Sequence, residues 1–239
     1  MNTLKSQTAI VTGASSGIGH AVAEMMLKEG MNVVITARTE SKLQALRSDY
    51  QNCEILAGNV LDEKLPQQLI DLATEKFGGV DVVFNNAGVM HTASIENTDI
   101  DEMCEMIRVN LEAGVRMAYT SLKYFKFKKK GHLVNVSSVL GTKVRPTTGI
   151  YAATKYGIEA LSEALRMEVA NTDVKVSVIE PGATKTNLQD HFEKHPLQVL
   201  GIEKPILPED IARCVKFILE QPDHVRIPVM MIMPGEQAM

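Results

Sequence analysis

Short apolar runs alternate along the chain with longer segments in which apolar residues recur every three or four positions. The short runs are almost continuously apolar, which is typical of parallel strands covered on both faces. The longer segments have the spacing of amphipathic helices. The predicted strands are 8–11, 33–36, 54–57, 80–84, 132–136, 174–179 and 229–232, and the predicted helices are 17–29, 40–49, 62–77, 99–127, 149–171 and 208–220.

This alternation predicts an α/β fold, because strands that alternate with helices are joined by right-handed crossovers into a parallel sheet. We expect a Rossmann-like, doubly wound sheet of about seven strands with helices on both faces. No internal repeat and no linker rich in Pro, Gly or Ser divides the 239 residues. A chain of this length fits one domain, so we expect residues 1–239 to form a single domain.

Composition narrows the environment and the partners. The chain has 25 basic and 29 acidic residues and a net charge of −4, which gives no general attraction to nucleic acid. Its three cysteines show no paired spacing, as expected of free thiols in a reducing compartment. No apolar run has the length of a signal peptide or of a membrane span. We therefore expect a cytoplasmic protein without nucleic-acid or membrane partners.

A glycine-rich turn, TGASSGIG at 12–19, follows the first predicted strand and leads into the first predicted helix. Glycines let the backbone approach a pyrophosphate, and the N–H groups at the helix N-terminus favour an anion. The turn therefore predicts a dinucleotide site, although three glycines also occur in turns that only need positive φ. The predicted contacts are Gly13, Ser15, Ser16, Gly17, Ile18 and Gly19.

The end of the second predicted strand indicates which dinucleotide is bound. Ala37 stands where a carboxylate would contact the ribose hydroxyls, and Arg38 follows it. A guanidinium can hold a 2′-phosphate with two hydrogen bonds, so the sequence favours NADP(H) over NAD(H). The alternative is that Arg38 only marks the start of a helix beside Glu40, which leaves an NAD(H)-dependent protein open.

Six motifs occur together: TGASSGIG (12–19), NNAG (85–88), VN (109–110), NVSS (135–138), YAATK (151–155) and PGATKT (181–186). In this order and spacing they resemble the short-chain dehydrogenase/reductase family in its compact form, over nearly the whole chain. The resemblance implies one dinucleotide-binding and catalytic domain that takes a small-molecule alcohol or carbonyl substrate. It also implies a homotetramer or homodimer formed through the two long helices.

The resemblance also assigns residues to the cofactor. It implies that the NNAG motif lines the adenosine side, with Asn86 also tying neighbouring strands, and that PGATKT orients the nicotinamide. The family often has Asp-Val after the third strand, whereas this chain has Asn59-Val60, so we expect a contact with adenine that has less charge assistance. The residues carried over are Asn59, Val60, Asn86, Ala87, Gly88, Pro181, Gly182, Thr184 and Thr186.

Tyr151 and Lys155 are four residues apart on a predicted helix, so both side chains reach one face. An ammonium group about 4 Å from a phenol lowers the pKa of the phenol from about 10 towards neutrality. We therefore predict that Tyr151 is a general acid or base and that Lys155 tunes and positions it. The alternative for an isolated pair of this kind is a weak surface contact.

The resemblance completes the site with Ser138, which lies 13 residues before Tyr151 and would orient the carbonyl, and with Asn110, which would support a proton relay. The expected function is an NADP(H)-dependent oxidoreductase that interconverts a secondary alcohol and a carbonyl. Two alternatives remain: an NAD(H)-dependent member of the same family, and a dinucleotide-binding sensor without turnover.

Three further features bear on substrate and metal. Residues 187–207 are expected to form a lid over the site, which often orders around a ligand. Lys143 and Arg145 either favour an anionic substrate or face solvent. His191 and His195 are four apart and would share a helical face, but surface histidines are more common than zinc ligands, so we expect no metal.

Overall fold

The computed structural model describes residues 3–192 and 194–238, which contain strands and helices in alternation. The strands are β1 (Thr8–Thr12), β2 (Asn32–Thr36), β3 (Cys53–Ile55), β4 (Val82–Asn85), β5 (Lys130–Val136), β6 (Asp173–Pro181) and β7 (Val229–Ile232). The α-helices are α1 (Gly17–Lys28), α2 (Glu40–Asp49), α3 (Leu65–Phe77), α4 (Ile100–Ile107), α5 (Ala113–Lys128), α6 (Gly149–Glu168), α7 (Pro196–Val199) and α8 (Pro208–Leu219).

The seven strands of the described residues form one sheet in the order β3-β2-β1-β4-β5-β6-β7. Every neighbouring pair is parallel. The chain builds outward from β1 to β3 and then crosses to β4, where it builds outward in the other direction. This reversal opens a crevice beyond the carboxyl ends of β1 and β4, which is where doubly wound sheets bind ligands. The predicted fold class is confirmed.

Alternate side chains of the central strands feed two apolar layers, one on each face of the sheet. Val11 packs in the layer that contains Met26 of α1 and Val215 of α8. Ile10 packs in the opposite layer, with Leu69 of α3 and Phe125 of α5. Because both faces are covered by helices, the strands are apolar at almost every position, which explains the runs seen in the sequence.

The long helix predicted over 99–127 is interrupted by a wider turn. Between α4 and α5 the segment Arg108–Glu112 is π-helical. The chain does not leave the helical path, so an apolar periodicity that continues across the turn cannot reveal it. π-Helical turns often occur at functional sites, and this one contains Asn110.

Several element ends also differ from the prediction, and local hydrogen bonds explain two of them. Helix α3 begins at Leu65 instead of 62, because the side chains of Asn59 and Asp62 accept main-chain N–H bonds that form turns before it. Helix α6 ends at Glu168 instead of 171, and Asn171 adopts a positive φ of 63° that no α-helix accommodates.

The sequence predicts free cysteine thiols and no membrane-spanning segment. Cys53, Cys104 and Cys214 are free thiols. Within residues 3–192 and 194–238, no helix combines the length and apolar character needed to cross a bilayer. The compartment stays a prediction.

A buried histidine makes stability depend on pH. His132 of β5 lies in the sheet with its Nε2 atom 2.9 Å from Ser177 Oγ. Burial, with a smaller effect from Lys175 and Arg226, lowers the pKa of His132 to about 3. The unfolded chain binds a proton near pH 6.5, so this histidine contributes stability that is present above pH ~6.5 and is lost as pH falls towards about 3.

Replacing His132 with Gln removes this titration while it keeps a polar side chain near Ser177. We expect the free energy of unfolding of the wild type to fall more steeply between pH ~6.5 and ~4 than that of the variant. Urea unfolding followed by circular dichroism measures both curves. If the free energies of unfolding of the two proteins stay parallel over this pH range, the imidazole of His132 is not buried in its neutral form.

Candidate active site

The glycine-rich turn packs tightly against the end of β4. Gly13 has a φ of 69°, and a Cβ atom there would lie 2.8 Å from Asn86 Nδ2. A Cβ atom on Gly19 would lie 2.4 Å from the carbonyl oxygen of Gly13. Helix α1 begins at Gly17, and its N-cap Ser16 makes no side-chain capping bond. The first N–H groups of the helix are therefore available to an anion, and the turn fits a pyrophosphate; the partly exposed Ser15 and Ile18 belong to the same turn.

Asn86 ties β1 to β4. Its Nδ2 atom donates to the carbonyl of Thr12 over 2.9 Å, and its main-chain N–H donates to Thr12 Oγ1 over 2.9 Å. The N–H of Ala87 donates to the same hydroxyl over 3.0 Å. The predicted structural role of Asn86 is confirmed. Gly88 continues this segment towards the helix turn, since a Cβ atom there would lie 3.2 Å from Asn110 Oδ1.

The residues predicted to contact the adenosine part of a dinucleotide include Arg38 and Asn59, which lie in the segments that follow β2 and β3. Arg38 is exposed just beyond the carboxyl end of β2. Asn59 is exposed, and its Oδ1 atom accepts a hydrogen bond from the N–H of Leu61 over 3.1 Å. One lone pair of this oxygen is therefore already used. Val60 lines a small cavity together with Ala87. The segment that follows β3 and the NNAG motif therefore meet at this cavity.

Tyr151 and Lys155 share one face of α6, beside the carboxyl end of β5. They are 7% and 5% exposed. The Nζ atom of Lys155 lies 5.7 Å from the centroid of the Tyr151 ring and donates to the carbonyl of Val136 over 3.0 Å. Ser138 hydrogen-bonds with the Tyr151 side chain, and its own Oγ atom accepts from the N–H of Leu140 over 3.1 Å. The structure thus brings Tyr151, Lys155 and Ser138 together, while the roles predicted for them in the reaction stay predictions.

The direction predicted for the pKa of Tyr151 is wrong. Burial raises the pKa of Tyr151 to about 12, and the hydrogen bond from Ser138 only partly opposes it. Burial also lowers the pKa of Lys155 to about 8. The prediction assumes that the ammonium lies about 4 Å from the phenol, and it gives too little weight to the desolvation of both groups. At neutral pH the phenol is therefore protonated and able to donate.

Asn110 lies in the π-helical turn and is 3% exposed. Its Oδ1 atom accepts from the N–H of Val89, and its Nδ2 atom donates to the carbonyl of Val89, both over 2.8 Å. Nδ2 also lies 3.4 Å from Thr154 Oγ1 on α6. The amide therefore clamps the segment after β4 to α6, and its role in a proton relay stays a prediction.

The PGATKT segment follows β6 and returns to the glycine-rich turn. A Cβ atom on Gly17 would lie 3.2 Å from the side chain of Thr186. Thr184 donates its hydroxyl to the carbonyl of Gly182 over 2.9 Å, and it pairs with Ile206 through an isolated β-bridge. Pro181, at the end of β6, is buried. The segments predicted to hold the pyrophosphate and the nicotinamide therefore lie side by side.

The lid segment (187–207) lies over Tyr151. It contains the 3₁₀ turn Asn187–Gln189 and the short helix α7. Phe192 packs on a small apolar cluster formed by Tyr151, Met90 and Met106, and the side-chain amide of Gln189 donates to the sulfur of Met90 over 3.4 Å. Flexible methionine side chains adapt to the shape of a bound molecule, so this cluster is the candidate substrate pocket.

The two lid histidines do not share a helical face. His191 lies outside α7, with its ring centroid 5.2 Å from that of His91, while His195 is the N-cap of α7 and accepts from the N–H of Leu197 over 3.2 Å. Among the residues that the structure describes, no three His, Cys, Asp or Glu side chains are grouped as metal ligands.

Sequence reasoning missed the C-terminal segment. Gln237 Oε1 accepts a hydrogen bond from the N–H of Ala183, in the PGATKT segment, over 2.8 Å. Glu236 Oε2 accepts from the N–H groups of Glu203 and Lys204, at the end of the lid segment, over 2.7 and 3.0 Å. The chain end therefore braces two walls of the crevice. No apolar periodicity or motif marks these residues, so their contacts could not be predicted from the sequence.

The same chain end also engages Arg145. The Arg145 guanidinium donates to the carbonyl of Ala238 over 3.1 Å, while Lys143 is exposed. The sequence left two alternatives for Lys143 and Arg145: that they bind an anionic substrate, or that they face solvent. The hydrogen bond from Arg145 to the main chain fits neither alternative.

The fold and the glycine-rich turn at its switch point define the dinucleotide-binding class of α/β proteins. Within that class, the family model described as short chain dehydrogenase matches residues 7–196. The chain belongs to the short-chain dehydrogenase/reductase family, as its six motifs predicted.

Individual relatives support the assignment. An uncharacterized oxidoreductase of Staphylococcus aureus (strain USA300) is 34% identical over 236 residues, 98% of this chain and 100% of the relative. An alcohol dehydrogenase from the archaeon Thermococcus sibiricus, solved with 5-hydroxy-NADP, has a TM-score of 0.82 and 30% identity over 97% of this chain and 98% of its own. A 3-ketoacyl-(acyl-carrier-protein) reductase from Brucella melitensis, solved with NADH, has a TM-score of 0.89 and 25% identity over 98% and 99%.

The packing of the glycine-rich turn can be tested by adding one methyl group. Gly19→Ala places a Cβ atom 2.4 Å from the Gly13 carbonyl oxygen and 2.6 Å from Asn86 Nδ2. We expect the free energy of unfolding to fall by about 1–3 kcal/mol, because the backbone must shift. Urea unfolding measures the loss.

Gly149→Ala is the matched control, since no atom lies within 4 Å of a Cβ atom there. We expect it to leave stability unchanged or to raise it by up to about 1 kcal/mol, because Ala is the better helix former. Equal stabilities for the two variants would mean that the turn is not tightly packed.

Proposed function

We propose that the protein is an NADP(H)-dependent oxidoreductase that interconverts a secondary alcohol and a carbonyl. The observation that carries the proposal is the hydrogen bond between Ser138 and a buried Tyr151, beside Lys155 and beneath the lid segment. Membership of the family and the oxidoreductase name of the Staphylococcus relative support the reaction class. The neighbour titled alcohol dehydrogenase supports the substrate class.

The residues present fit a nicotinamide dinucleotide. The glycine-rich turn and the start of α1 would hold the pyrophosphate, and Arg38 would hold a 2′-phosphate. Val60, Ala87 and Gly88 would line the adenosine side, with Asn59 and Asn86 next to them, and the PGATKT segment would hold the nicotinamide end. When bound, the nicotinamide supplies or accepts the hydride.

The chain's own residues supply the proton chemistry. Tyr151 is protonated at neutral pH, because its pKa is about 12, so it can donate a proton to the oxygen of a carbonyl as hydride reaches the carbon. Ser138 holds that oxygen against the phenol, and Lys155 places a positive charge where negative charge develops on Tyr151. Phe192 and its apolar neighbours exclude water, which strengthens these interactions. Oxidation of an alcohol uses the same groups in reverse, with Asn110 supporting the proton relay.

The alternative that an observation favours is an NAD(H)-dependent enzyme of the same family. The Brucella neighbour is titled as a complex with NADH, and Glu40, the first residue of α2, lies two residues after Arg38. A sensor without turnover is less well supported, because Tyr151, Lys155 and Ser138 are all present and adjacent.

We further propose that residues 1–239 act as one dinucleotide-binding and catalytic domain and that the protein forms a homodimer or homotetramer through α5 and α6. Both helices present large side chains to solvent: Tyr119 and Phe127 on α5, and Tyr156 and Met167 on α6. Such exposed apolar groups are typical of surfaces that meet another protein.

The catalytic proposal is tested by Tyr151→Phe, which keeps the ring and removes the proton donor. We expect kcat for reduction of a panel of ketones and aldehydes with NADPH to fall by at least about 100-fold. NADPH absorbance follows the reaction. Tyr156→Phe, on the same helix but 42% exposed, is the matched control and should keep full activity. Undiminished turnover by Tyr151→Phe would remove the mechanism.

Cofactor choice is tested by Arg38→Leu. We expect the KM for NADPH to rise about tenfold, because a charged bidentate contact is lost, and the KM for NADH to stay unchanged. Arg47→Leu, which removes an exposed guanidinium of α2 that lies 3.5 Å from Glu54, should alter neither value. A wild-type protein that prefers NADH would support the alternative instead.

A further inference from the structure

Two carboxyl groups meet on the inner side of α6, one helical turn from Lys155. Glu159 follows Lys155 by four residues, so the two side chains lie on one face of the helix. Glu180 belongs to β6 and directly precedes Pro181 of the PGATKT segment; it is 2% exposed. The two carboxyl groups are hydrogen-bonded to each other. Neither was singled out from the sequence, and neither contacts the substrate pocket described above.

The hydrogen bonding of this pair requires a proton. Among the described residues, no N–H or O–H donor group reaches Glu159 Oε1 or Glu180 Oε2, and both atoms are buried. An ionised carboxylate only accepts, so two carboxyl groups can bond to each other only if one of them is protonated. Two negative charges this close in a buried site cannot both be stable. Below the pKa of Glu180, which burial raises to about 7, the pair therefore holds one proton and carries one negative charge.

The groups around the pair leave Lys155 as its nearest functional neighbour. Among the charged side chains, Lys155 and Arg166, both on α6, act on Glu159, and Ser137, after β5, hydrogen-bonds with it. The 3₁₀ turn Val139–Gly141 closes over the pair, since a Cβ atom on Gly141 would lie 2.4 Å from Ser137 Oγ and 3.2 Å from Glu159 Oε1. Strand β6 contributes the second carboxyl. Ser137 also bonds the carbonyl of Lys155 over 3.4 Å, which links the pair to the lysine's own turn.

We propose that Glu159 and Glu180 form a proton-sharing pair whose single negative charge is the counter-charge of Lys155, which makes Glu159 and Glu180 positioning residues for the reaction. This inference rests on the proposed function, in which Lys155 acts as an ammonium. Burial lowers the pKa of Lys155, and Glu159 opposes that change. Without the charge on Glu159, the ammonium would lose its proton at a lower pH, and with it the positive charge beside Tyr151.

The two carboxyl groups have separable effects. Glu159 acts directly on Lys155, whereas Glu180 acts on Glu159 by sharing its proton. Glu159→Gln therefore removes the counter-charge, while Glu180→Gln leaves an ionised Glu159 in place. Glu163→Gln, an exposed residue one turn further along α6, is the matched control.

The first experiment measures kcat/KM for carbonyl reduction with NADPH from about pH 6 to about pH 9. We expect Glu159→Gln to be about fivefold less active than the wild type near pH 8, with its alkaline decline starting at a lower pH, because Lys155 deprotonates earlier. Glu180→Gln and Glu163→Gln should keep the wild-type alkaline limb, and Glu159→Asp should restore it in part. A purely structural role would lower the rate of Glu159→Gln equally at every pH, and that result would overturn the proposal.

The second experiment does not depend on turnover. Burial raises the pKa of Glu180 to about 7 from its usual value near 4.5. An acid with a raised pKa contributes stability that is complete below its unfolded pKa and is lost as pH rises through its folded pKa. We therefore expect the wild-type Tm to fall relative to that of Glu180→Gln as pH rises from about 5 to about 8. Differential scanning calorimetry measures both.

The pH profile of activity and the pH dependence of Tm together show which of the two proposals fails. Parallel Tm curves would show that the pair does not share a proton and would overturn the inference, whatever the activity. A wild-type protein that reduces no carbonyl compound, but whose Tm falls relative to that of Glu180→Gln as expected, would refute the proposed function and leave the proton-sharing pair standing. The expected relative fall in Tm together with an unshifted pH profile for Glu159→Gln would refute the counter-charge role alone.

Discussion

Removal of water from the inner face of α6 is the constraint on which the chemistry depends. In that dry strip the same physical cause acts on three different groups: it holds the proton on Tyr151, loosens the proton on Lys155 and keeps a proton on the carboxyl pair. Each group is shifted towards its neutral form. The ionised states that catalysis needs must therefore be stabilised by specific neighbours, which explains why Ser138 and Glu180 lie beside the turns of α6 that carry Tyr151, Lys155 and Glu159.

The fold creates this strip by bringing the ends of distant segments to one edge of the sheet. Because β1 and β4 are adjacent at the switch point, the hydrogen bond between Asn86 and Thr12 can join the glycine-rich turn to the centre of the sheet. Strands β5 and β6 end beside each other, so Ser138 and the PGATKT segment emerge on the same side. The chain end then crosses that edge and fixes its outer wall through Gln237. Parallel topology thus converts six separate motifs into one crevice.

Much of this arrangement was predictable from sequence, because it follows from local periodicity and short spacings. A separation of four positions is enough to place Tyr151 and Lys155 on one helical face, and a glycine turn between a strand and a helix is enough to predict a nucleotide site. The direction in which the pKa of Tyr151 shifts was not predictable, because it depends mainly on how deeply the folded chain buries the phenol. The contacts of Glu236 and Gln237 were not predictable either, since they join residues that are far apart in the chain. The sequence does mark Glu180: a carboxyl directly before Pro181, after the apolar residues Val178 and Ile179, is costly to bury unless it has a partner.

The wide turn at Arg108–Glu112 has a consequence for how one long helical rod is used. A π-helical turn holds one extra residue, so the segments before and after it are rotated relative to each other by about 100°. Met106, ahead of the turn, packs in the pocket cluster with Tyr151, whereas Met117 and Phe125, beyond it, pack against the sheet. Because of this rotation, one continuous helical segment packs in two separate apolar clusters. Side chains that line the pocket can therefore diverge between relatives without disturbing the packing that holds the sheet together.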